Sequence, residues 1–307
     1  MSFPLGIIDI GSNTVLMTCG RLAPNKKLEV LLEGHDVARL SEGLVDGGPL
    51  QPKARSRVFD ILKKFKAESE RAGIKDLRGA GTAAFRRASD GEKFAEEIEK
   101  KLGIPVQILS GDQEAYYSYL SAEKDFGSSG ITLGMIDIGG GSTEIVLGPG
   151  KDRFSLPIGT VRLLEGYVKN QPIDDDTWKK LSSEIQALLK KNIPHRKIKP
   201  KRWVAVAATP TSLAVLLQGL TAFDPVRVHG YPIVLTRLKN LVEQIRKISV
   251  AERNKMPGMD PKRSDLLPLG GLILMEVMDY FSVKEIIASH HGLRYGLLWE
   301  NLEEINE

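Results

Sequence analysis

The sequence MIDIGGGSTEIVL at residues 135–147 decides the fold, and the remainder of the chain is best understood from it. An apolar strand delivers Asp137 to its end, three glycines turn the chain, and Ser142, Thr143 and Glu144 open a returning strand. Glycine accepts positive φ values and allows a bulky anion to approach the main chain. Consecutive N–H groups in such a turn form a concave anion site, and carboxylates on either side suit a hard cation. The alternative interpretation is a tight hairpin that carries a surface aspartate.

The same pattern occurs near the start of the chain, where residues 5–19 read LGIIDIGSNTVLMTC. Asp9 and Gly11 match Asp137 and Gly139, with an offset of 128 in residue number for each pair. Two copies of a strand, an aspartate, a glycine turn and a returning strand predict two related domains, each of which presents a phosphate-binding loop. Two such loops that face each other would hold a chain of phosphates between them.

Length and composition are those of a globular protein with two domains. The chain has 307 residues, of which 42% are hydrophobic and 27% are charged, so each half can bury a core. Strands and helices alternate along both halves, which predicts an α/β fold with helix-covered sheets. The Gly/Ser-rich segment at residues 126–130 indicates a boundary between domains at 1–125 and 126–307. We expect the last helix, at residues 293–307, to fold back on the first domain.

Absences in the sequence argue against several classes of protein. No stretch approaches the ~20 apolar residues that span a bilayer, and we see no secretion signal. The single Cys19 excludes an internal disulfide framework, so we expect a cytoplasmic protein. The net charge of +4 mildly favours an anionic partner and is too weak to imply binding to nucleic acid or to a membrane.

Common motifs for nucleotides and zinc are also absent. The chain has no Gly-x-x-x-x-Gly-Lys-Ser/Thr loop, which excludes the usual P-loop, and it has no Cys/His cluster of the kind that binds zinc. His290 and His291 are adjacent. Because neighbouring residues of a strand point to opposite faces, we do not expect these two side chains to share a metal.

Further candidate anion sites follow two predicted buried strands. Thr82 and Arg86 come after one strand, and Thr209 and Thr211 come after the other. Each pair would lie at a strand end or in the first turn of a helix, where anions bind. Residues 190–202 carry seven Lys or Arg side chains. This stretch either holds a polyanion or, as we favour, forms a solvated connection.

The duplicated hairpins resemble those of the actin, Hsp70 and sugar-kinase superfamily. Further motifs make the chain similar to one family within it, the exopolyphosphatases and guanosine pentaphosphate phosphohydrolases (Ppx/GppA). The matching segments, in family order, are DIGSN at 9–13, GTAAFR at 81–86, SGDQEA at 110–115, DIGGGSTE at 137–144, TPTSL at 209–213, RSD at 263–265 with Gly270, and GLRYG at 292–296. The length is similar to that of the family's short form, which has two domains.

The resemblance implies a fold of two duplicated actin-like, or ribonuclease H-like, domains with a phosphate-binding cleft between them. It also implies an Mg²⁺-dependent hydrolase, often a homodimer. Such an enzyme removes the terminal phosphate of inorganic polyphosphate or the 5′ γ-phosphate of guanosine pentaphosphate. Either reaction cleaves a phosphoanhydride with water, which requires positioning, charge neutralisation and an oriented nucleophile.

The resemblance assigns roles to individual residues. Glu114 matches the catalytic glutamate that orients and deprotonates water, and Arg86 would stabilise charge on the transferring group. The alternatives are a surface helix acid and a surface ion pair. Asp137 and Glu144, together with Asp9, would bind Mg²⁺ directly or through water. The groups that contact phosphate oxygens would be Ser12, Asn13, Thr82, Gly139, Gly140, Gly141, Ser142, Thr209 and Thr211.

The chain departs from the family pattern at a few positions. Members often carry Arg or His in place of Leu16, Gly in place of Ala208, and Asn in place of Asp90. His290 and His291 replace a more usual Asp-Arg pair. These differences bear on substrate preference more than on the fold.

The leading interpretation is an exopolyphosphatase, with guanosine pentaphosphate hydrolysis as the alternative. A kinase is a further candidate, because Gly270 and Gly271 resemble the paired glycines that approach adenosine in related kinases. We favour close helix packing as the reason for these glycines. A non-catalytic sensor of polyphosphate or an alarmone belongs to a different class. Glu114 argues against a sensor, since binding alone has no need of a water-activating carboxylate.

Overall fold

The structure is a computed structural model that describes residues 3–149, 152–193 and 199–306. The described strands are β1 (Leu5–Ile10), β2 (Thr14–Leu22), β3 (Leu28–Val37), β4 (Asp76–Gly81), β5 (Val106–Ile108), β6 (Leu133–Ile138), β7 (Thr143–Leu147), β8 (Arg153–Leu156), β9 (Arg202–Val206), β10 (Pro232–Val234) and β11 (Glu285–Ala288). The described helices are α1 (Pro52–Arg71), α2 (Ala83–Arg87), α3 (Gly91–Leu102), α4 (Gly111–Phe126), α5 (Thr160–Tyr167), α6 (Asp175–Asn192), α7 (Ala208–Leu217), α8 (Pro225–Val228), α9 (Leu235–Arg246), α10 (Val250–Arg253), α11 (Leu267–Phe281) and α12 (Leu293–Asn306).

The chain divides into two compact units. Unit one contains the described residues up to Ser121 together with those from Leu293 onward, and unit two extends from Ala122 to Gly292. The first division therefore falls within α4, whereas the predicted boundary lay in the Gly/Ser-rich segment just after that helix. A continuous helix has no compositional signal of a linker, so its sequence gives no indication of such a division.

Unit one is built on a five-stranded sheet in the order β3-β2-β1-β4-β5. The first three strands are antiparallel neighbours, and β4 and β5 run parallel to β1. The apolar run of β1 is buried along almost its whole length, as expected for a strand covered on both faces. One of its faces, with Ile8 and Ile10, packs with α1 and α3 in the main core. Alternate residues, Leu5 and Ile7, pack against the leucines of α12.

Unit two is built on a six-stranded sheet in the order β10-β11-β9-β6-β7-β8. Here β6, β7 and β8 are antiparallel neighbours, β6, β9 and β11 are parallel, and β10 adds an antiparallel edge strand. The central helix is α11, in which most side chains are buried. It contacts α6, α7 and α9, so a continuous apolar helix supplies much of the core of this unit.

The two sheets repeat one topology. A three-stranded antiparallel meander is followed by two strands parallel to its first member, β4 and β5 in unit one and β9 and β11 in unit two. This repeat agrees with the duplication predicted from the two Asp-Gly phrases. No helix within the described ranges combines the length and apolar character needed to cross a membrane.

Candidate phosphate and metal sites

The turn between β6 and β7 is held by backbone hydrogen bonds, both within the turn and from the start of α5. The Gly139 amide donates to the Ser142 carbonyl at 3.0 Å, and the carbonyls of Gly139 and Gly140 accept from the first amides of α5 at 2.9–3.1 Å. In the described part of the chain, the amides of Gly140 and Gly141 donate to no backbone acceptor. A fixed turn with two unused neighbouring amides is suited to an anion. The α5 amides, in contrast, already serve the turn carbonyls.

Gly159, just before α5, makes this arrangement possible. A Cβ at position 159 would overlap the backbone of Gly140 and Gly141, closer than real Cβ atoms approach any heavy atom. Its φ of −156° is ordinary extended backbone, so the requirement for glycine comes from space alone. Gly159 is a site residue that was not predicted from the sequence. The only local signal in the sequence is a glycine immediately before the residues that form α5.

Two carboxylates flank the same turn at directly opposed positions. Asp137 on β6 is the register partner of Glu144 on β7, so both side chains project from the same face of the sheet. Glu144 is only 4% exposed, and Ser155 Oγ donates to its Oε1 at 2.7 Å. Opposed carboxylates repel each other unless a cation or proton compensates them. Oxygen ligands in this number fit Mg²⁺, which uses one or two carboxylates and completes its shell with water and phosphate.

The turn between β1 and β2 has the same backbone support. The Gly11 amide donates to the Thr14 carbonyl at 2.9 Å, and the carbonyls of Ser12 and Asn13 accept from amides at residues 38–41 at 2.8–3.0 Å. The segment after the third strand of the meander therefore supports the turn in each unit.

The side chains of this first turn are buried polar groups. Ser12 is 4% exposed and Asn13 is 8% exposed. Among the described residues, Ser12 Oγ and Asn13 Oδ1 have no hydrogen-bond partner. A buried polar group without a partner loses the hydrogen bonds that it makes to water in the unfolded chain. The Ser12 hydroxyl can donate to a ligand oxygen, whereas Asn13 Oδ1 can only accept a hydrogen bond. Asp9 lies opposite Leu16 in the β1–β2 register, so this hairpin lacks the second carboxylate.

The predicted catalytic residues contact each other in unit one. Arg86 Nη2 lies 2.8 Å from Glu114 Oε2, and the Glu114 side chain is only 8% exposed. Arg86 Nη1 also donates to the Leu109 carbonyl at 2.6 Å, which fixes the guanidinium from a second side. Thr82 is buried, and its Oγ1 lies at the limit of hydrogen bonding, 3.5 Å from the Ile10 carbonyl. Glu114 is therefore a buried, oriented carboxylate rather than a surface helix acid.

The threonines of α7 differ from each other in how their hydroxyls are used. Thr211 Oγ1 lies 3.1 Å from the Ala207 carbonyl and 3.0 Å from the Ala208 carbonyl, so its proton serves its own helix. Thr209 is buried beside Gly270, where a Cβ would lie 2.6 Å from Thr209 Oγ1. Gly270 is therefore required for close packing of α11 on α7, which is the interpretation favoured from the sequence.

Within each unit, the candidate residues follow the carboxyl ends of parallel strands. In unit one the first turn follows β1, Thr82 follows β4, and the helix of Glu114 follows β5. In unit two the glycine turn follows β6 and Thr209 follows β9. Ligands of open α/β sheets bind at this edge.

The premise that the His290 and His291 side chains point to opposite faces was wrong, since their ring centroids lie 4.2 Å apart. The structure places His229, His290 and His291 together in unit two. The strand β11 ends at Ala288, and His290 lies in a bend, so the alternation of side chains along a strand does not apply to this pair. Of the basic stretch at residues 190–202, residues 194–198 lie outside the described residues.

Comparison with protein families and curated proteins gives consistent matches. The model of the Ppx/GppA phosphatase family matches residues 22–305. The guanosine-5'-triphosphate,3'-diphosphate pyrophosphatase of Vibrio parahaemolyticus is 27% identical over 308 residues, which cover 98% of this chain and 59% of that protein. A bifunctional 3-dehydroquinate synthase/phosphatase of Fusobacterium nucleatum is 26% identical over 313 residues, which cover 96% of this chain and 46% of that protein. The chain thus spans about half to three-fifths of the length of these relatives.

Solved structures show the same fold. The Ppx/GppA family member of Aquifex aeolicus superposes with a TM-score of 0.84 at 27% identity, over 100% of both chains. An exopolyphosphatase from Cytophaga hutchinsonii superposes with a TM-score of 0.89 at 22% identity, over 98% of each chain. These matches confirm the predicted fold class, α/β with a duplicated actin-like domain. Because the family model matches residues 22–305, which are most of the chain, the chain belongs to the Ppx/GppA phosphatase family.

Proposed function

We propose that this protein hydrolyses the terminal phosphoanhydride of a polyphosphate anion, with inorganic polyphosphate as the leading substrate. Guanosine pentaphosphate is the second candidate, because the Vibrio parahaemolyticus relative is named for that substrate. The observation that carries the proposal is the buried Glu114 carboxylate held by Arg86 at 2.8 Å. A protein that only bound phosphate would have no use for this carboxylate.

Glu114 is proposed as the general base. Water attacks the terminal phosphorus, its proton passes to a Glu114 oxygen, and the bridging P–O bond breaks so that the shortened chain leaves with its oxygen. General-base assistance of this kind contributes roughly 10²–10⁴-fold. Arg86 orients the carboxylate, and its remaining N–H groups are available to the equatorial oxygens of the transferring phosphoryl group.

The phosphate-binding groups proposed within each unit are mainly neutral donors. In unit two these are the amides of Gly140 and Gly141 and the buried Ser142 hydroxyl, with Gly139 shaping the turn. In unit one they are Ser12, Asn13 and Thr82. In unit two α7 adds Thr209, whereas the Thr211 hydroxyl donates to carbonyls of its own helix. Backbone amides and hydroxyls bind phosphate oxygens at every position of a chain equally, so they suit a repeating polyanion.

The carboxylates Asp137 and Glu144 of unit two are proposed to hold Mg²⁺, and Asp9 is proposed as a separate oxygen ligand in unit one. When bound, the metal neutralises charge on the phosphate oxygens. The protein's part is to present oxygen ligands at a fixed separation, which the register of β6 and β7 supports. Glu144 is further oriented by the hydroxyl of Ser155.

The experiment that tests this proposal measures phosphate release from long inorganic polyphosphate, guanosine pentaphosphate and ATP, each with and without Mg²⁺. We expect Mg²⁺-dependent release from polyphosphate, slower release from guanosine pentaphosphate, and little from ATP. Tight polyphosphate binding without release from any substrate would instead indicate a sensor. ATP consumption that requires a sugar would indicate a kinase. Either outcome contradicts the proposal.

A further inference from the structure

Three of the five histidines in the chain form a cluster in unit two. One ring nitrogen of each of His229, His290 and His291 lies within 4.8 Å of the others. The ring centroids are 4.3 Å apart for His229 and His291, 4.2 Å for His290 and His291, and 5.1 Å for His229 and His290. His229 is far in sequence from the other two imidazoles, so the fold itself brings them together.

The backbone around the cluster is fixed independently of the rings. His229 caps the end of α8. The next two residues are tied to the end of β11: the Gly230 amide donates to the Ala288 carbonyl at 2.9 Å, and the Ala288 amide donates to the Tyr231 carbonyl at 2.9 Å. The Ser289 amide donates to the Ala205 carbonyl at 2.8 Å. Ligand-bearing segments that are already positioned reduce the entropy lost when a ligand binds.

Polar neighbours orient two of the three rings. Asp125 Oδ2 lies 2.8 Å from His291 Nδ1 and 3.9 Å from His229 Nε2. Ser289 Oγ lies 3.3 Å from His229 Nδ1 and accepts from the His291 amide at 3.1 Å. A carboxylate or hydroxyl on a ring nitrogen is the usual outer partner of a metal-binding histidine. Asp125 also brings negative charge beside the cluster, which would compensate a dication.

The surroundings of His229 lower the pKa of its imidazole. Burial lowers the pKa of His229, the neighbouring His291 lowers it further, and Asp125 acts in the opposite direction. The competing interpretation is a purely structural stack of aromatic rings, since the Phe126 ring lies 4.9 Å from the His229 ring. A stack of that kind would not need Asp125 on a ring nitrogen.

We propose that His229, His290 and His291, with Asp125 beside them, form a binding site for a divalent transition metal. Imidazole ligands suit Zn²⁺, Co²⁺, Ni²⁺ and Cu²⁺ and discriminate against Mg²⁺, which prefers oxygen. The site therefore differs in chemistry from the carboxylate pair of Asp137 and Glu144. A bound metal would join α4, the end of α8 and the end of β11, and so stabilise this edge of unit two. The proposal is independent of the substrate that the protein hydrolyses.

The test uses the untagged full chain after removal of metals with a chelator. We expect calorimetric titration to show one Zn²⁺ bound per chain. One bound Co²⁺ should show the visible absorption bands of a cobalt ion with a low coordination number. Zn²⁺ should also raise the melting temperature. Excess Mg²⁺ should displace neither ion. His229→Gln and His290→Gln should each weaken Zn²⁺ binding by more than about 100-fold, and Asp125→Asn by about 10–100-fold.

The matched control is His35→Gln, which changes an exposed histidine on β3 in unit one and should leave Zn²⁺ binding unchanged. Absence of stoichiometric Zn²⁺ binding by the wild-type chain would overturn the proposal. Zn²⁺ binding by the His229 and His290 variants that is as tight as that of the wild type would also overturn it. If these variants fold poorly, X-ray absorption of the Zn²⁺-loaded wild type decides. Three histidine nitrogens support the site, and two or fewer reject it.

Discussion

The hairpin turns of the two units share one backbone design and differ in chemistry. In both, a glycine amide closes the turn with a hydrogen bond to a carbonyl three residues later. The distance is 2.9 Å from Gly11 to Thr14 and 3.0 Å from Gly139 to Ser142. In both, the segment after the third strand holds the turn carbonyls. The residue opposite the aspartate differs: Asp9 faces Leu16, whereas Asp137 faces Glu144. Duplication thus preserved the hydrogen-bonded frame while the returning strand diverged.

The turns also present different donors. The first turn offers the buried Ser12 hydroxyl, which has no hydrogen-bond partner among the described residues, and the side-chain amide of Asn13. The second offers the backbone amides of Gly140 and Gly141. We infer that the first turn is specialised for phosphate and that the second combines phosphate with the metal, because only the second carries two opposed carboxylates.

Among changes in the two turns, the largest effect on phosphate release is expected at the metal-binding carboxylates. Asp137→Asn should reduce phosphate release at fixed Mg²⁺ by about 100-fold, whereas Asp9→Asn should reduce it by about 10-fold or less. The reason is that the Asp137 variant leaves Glu144 as the only carboxylate of the opposed pair. Steady-state rates across a range of Mg²⁺ concentrations measure both effects, and extra Mg²⁺ should partly restore the Asp137 variant. Equal losses would remove the distinction between the turns.

The next effect concerns the support of the second turn. Gly159→Ala should lower the free energy of unfolding by about 1–3 kcal/mol, because its Cβ overlaps the backbone of Gly140 and Gly141. Gly166→Ala in α5 is the matched control, since a Cβ there meets nothing within 4 Å. It should be neutral or stabilising by up to about 1 kcal/mol. Urea unfolding measures the free energy of unfolding of both variants. Equal values would show that the space between Gly159 and the Gly140–Gly141 backbone can accept a Cβ.

A smaller effect separates binding from stability in the first turn. Ser12→Ala should raise the KM for substrate by about 3- to 10-fold, the equivalent of one hydrogen bond. It should leave stability unchanged or raised without substrate, because the hydroxyl has no partner among the described residues. KM measurements beside urea unfolding test this combination. A marked loss of stability would mean that Ser12 is structural.

The smallest effect comes from adding the missing carboxylate. Leu16→Glu places a charge opposite Asp9 and should destabilise the chain by about 0.2–1 kcal/mol relative to Leu16→Gln in the absence of Mg²⁺. Added Mg²⁺ should reduce this difference if two opposed carboxylates suffice to attract the ion. Melting temperatures of both variants, with and without Mg²⁺, provide the test. A difference that Mg²⁺ leaves untouched would show that the second turn needs more than its carboxylate pair.

The hairpins were predictable from sequence because their determinants are local. An apolar strand, an aspartate and a glycine turn specify the structure within about a dozen residues, and the pairing of Asp137 with Glu144 follows from a short antiparallel turn. The contact between Arg86 and Glu114 was not predicted. It depends on how α2 and α4 follow the parallel strands β4 and β5, and no short motif encodes that packing.

The histidine cluster and Gly159 show the same limit. His229 and His290 are separated in sequence by several helices and two strands, so only the pairing of β10 with β11 brings them together. The prediction that His290 and His291 point to opposite faces failed because it assumed that the strand continued through both residues, whereas β11 ends at Ala288. Gly159 is needed only for its proximity to another turn, and a glycine just before a helix is too common to indicate such a contact.

The most direct test of the account is the rate of phosphate release by Glu114→Gln. Glutamine keeps the size of the side chain but cannot accept the proton of the attacking water. We predict a loss of at least about 100-fold in turnover with a modest change in substrate binding. The control Asp112→Asn, which alters an exposed carboxylate in the first turn of the same helix, should keep near-normal turnover. Near-normal turnover by Glu114→Gln would contradict the assignment of the base.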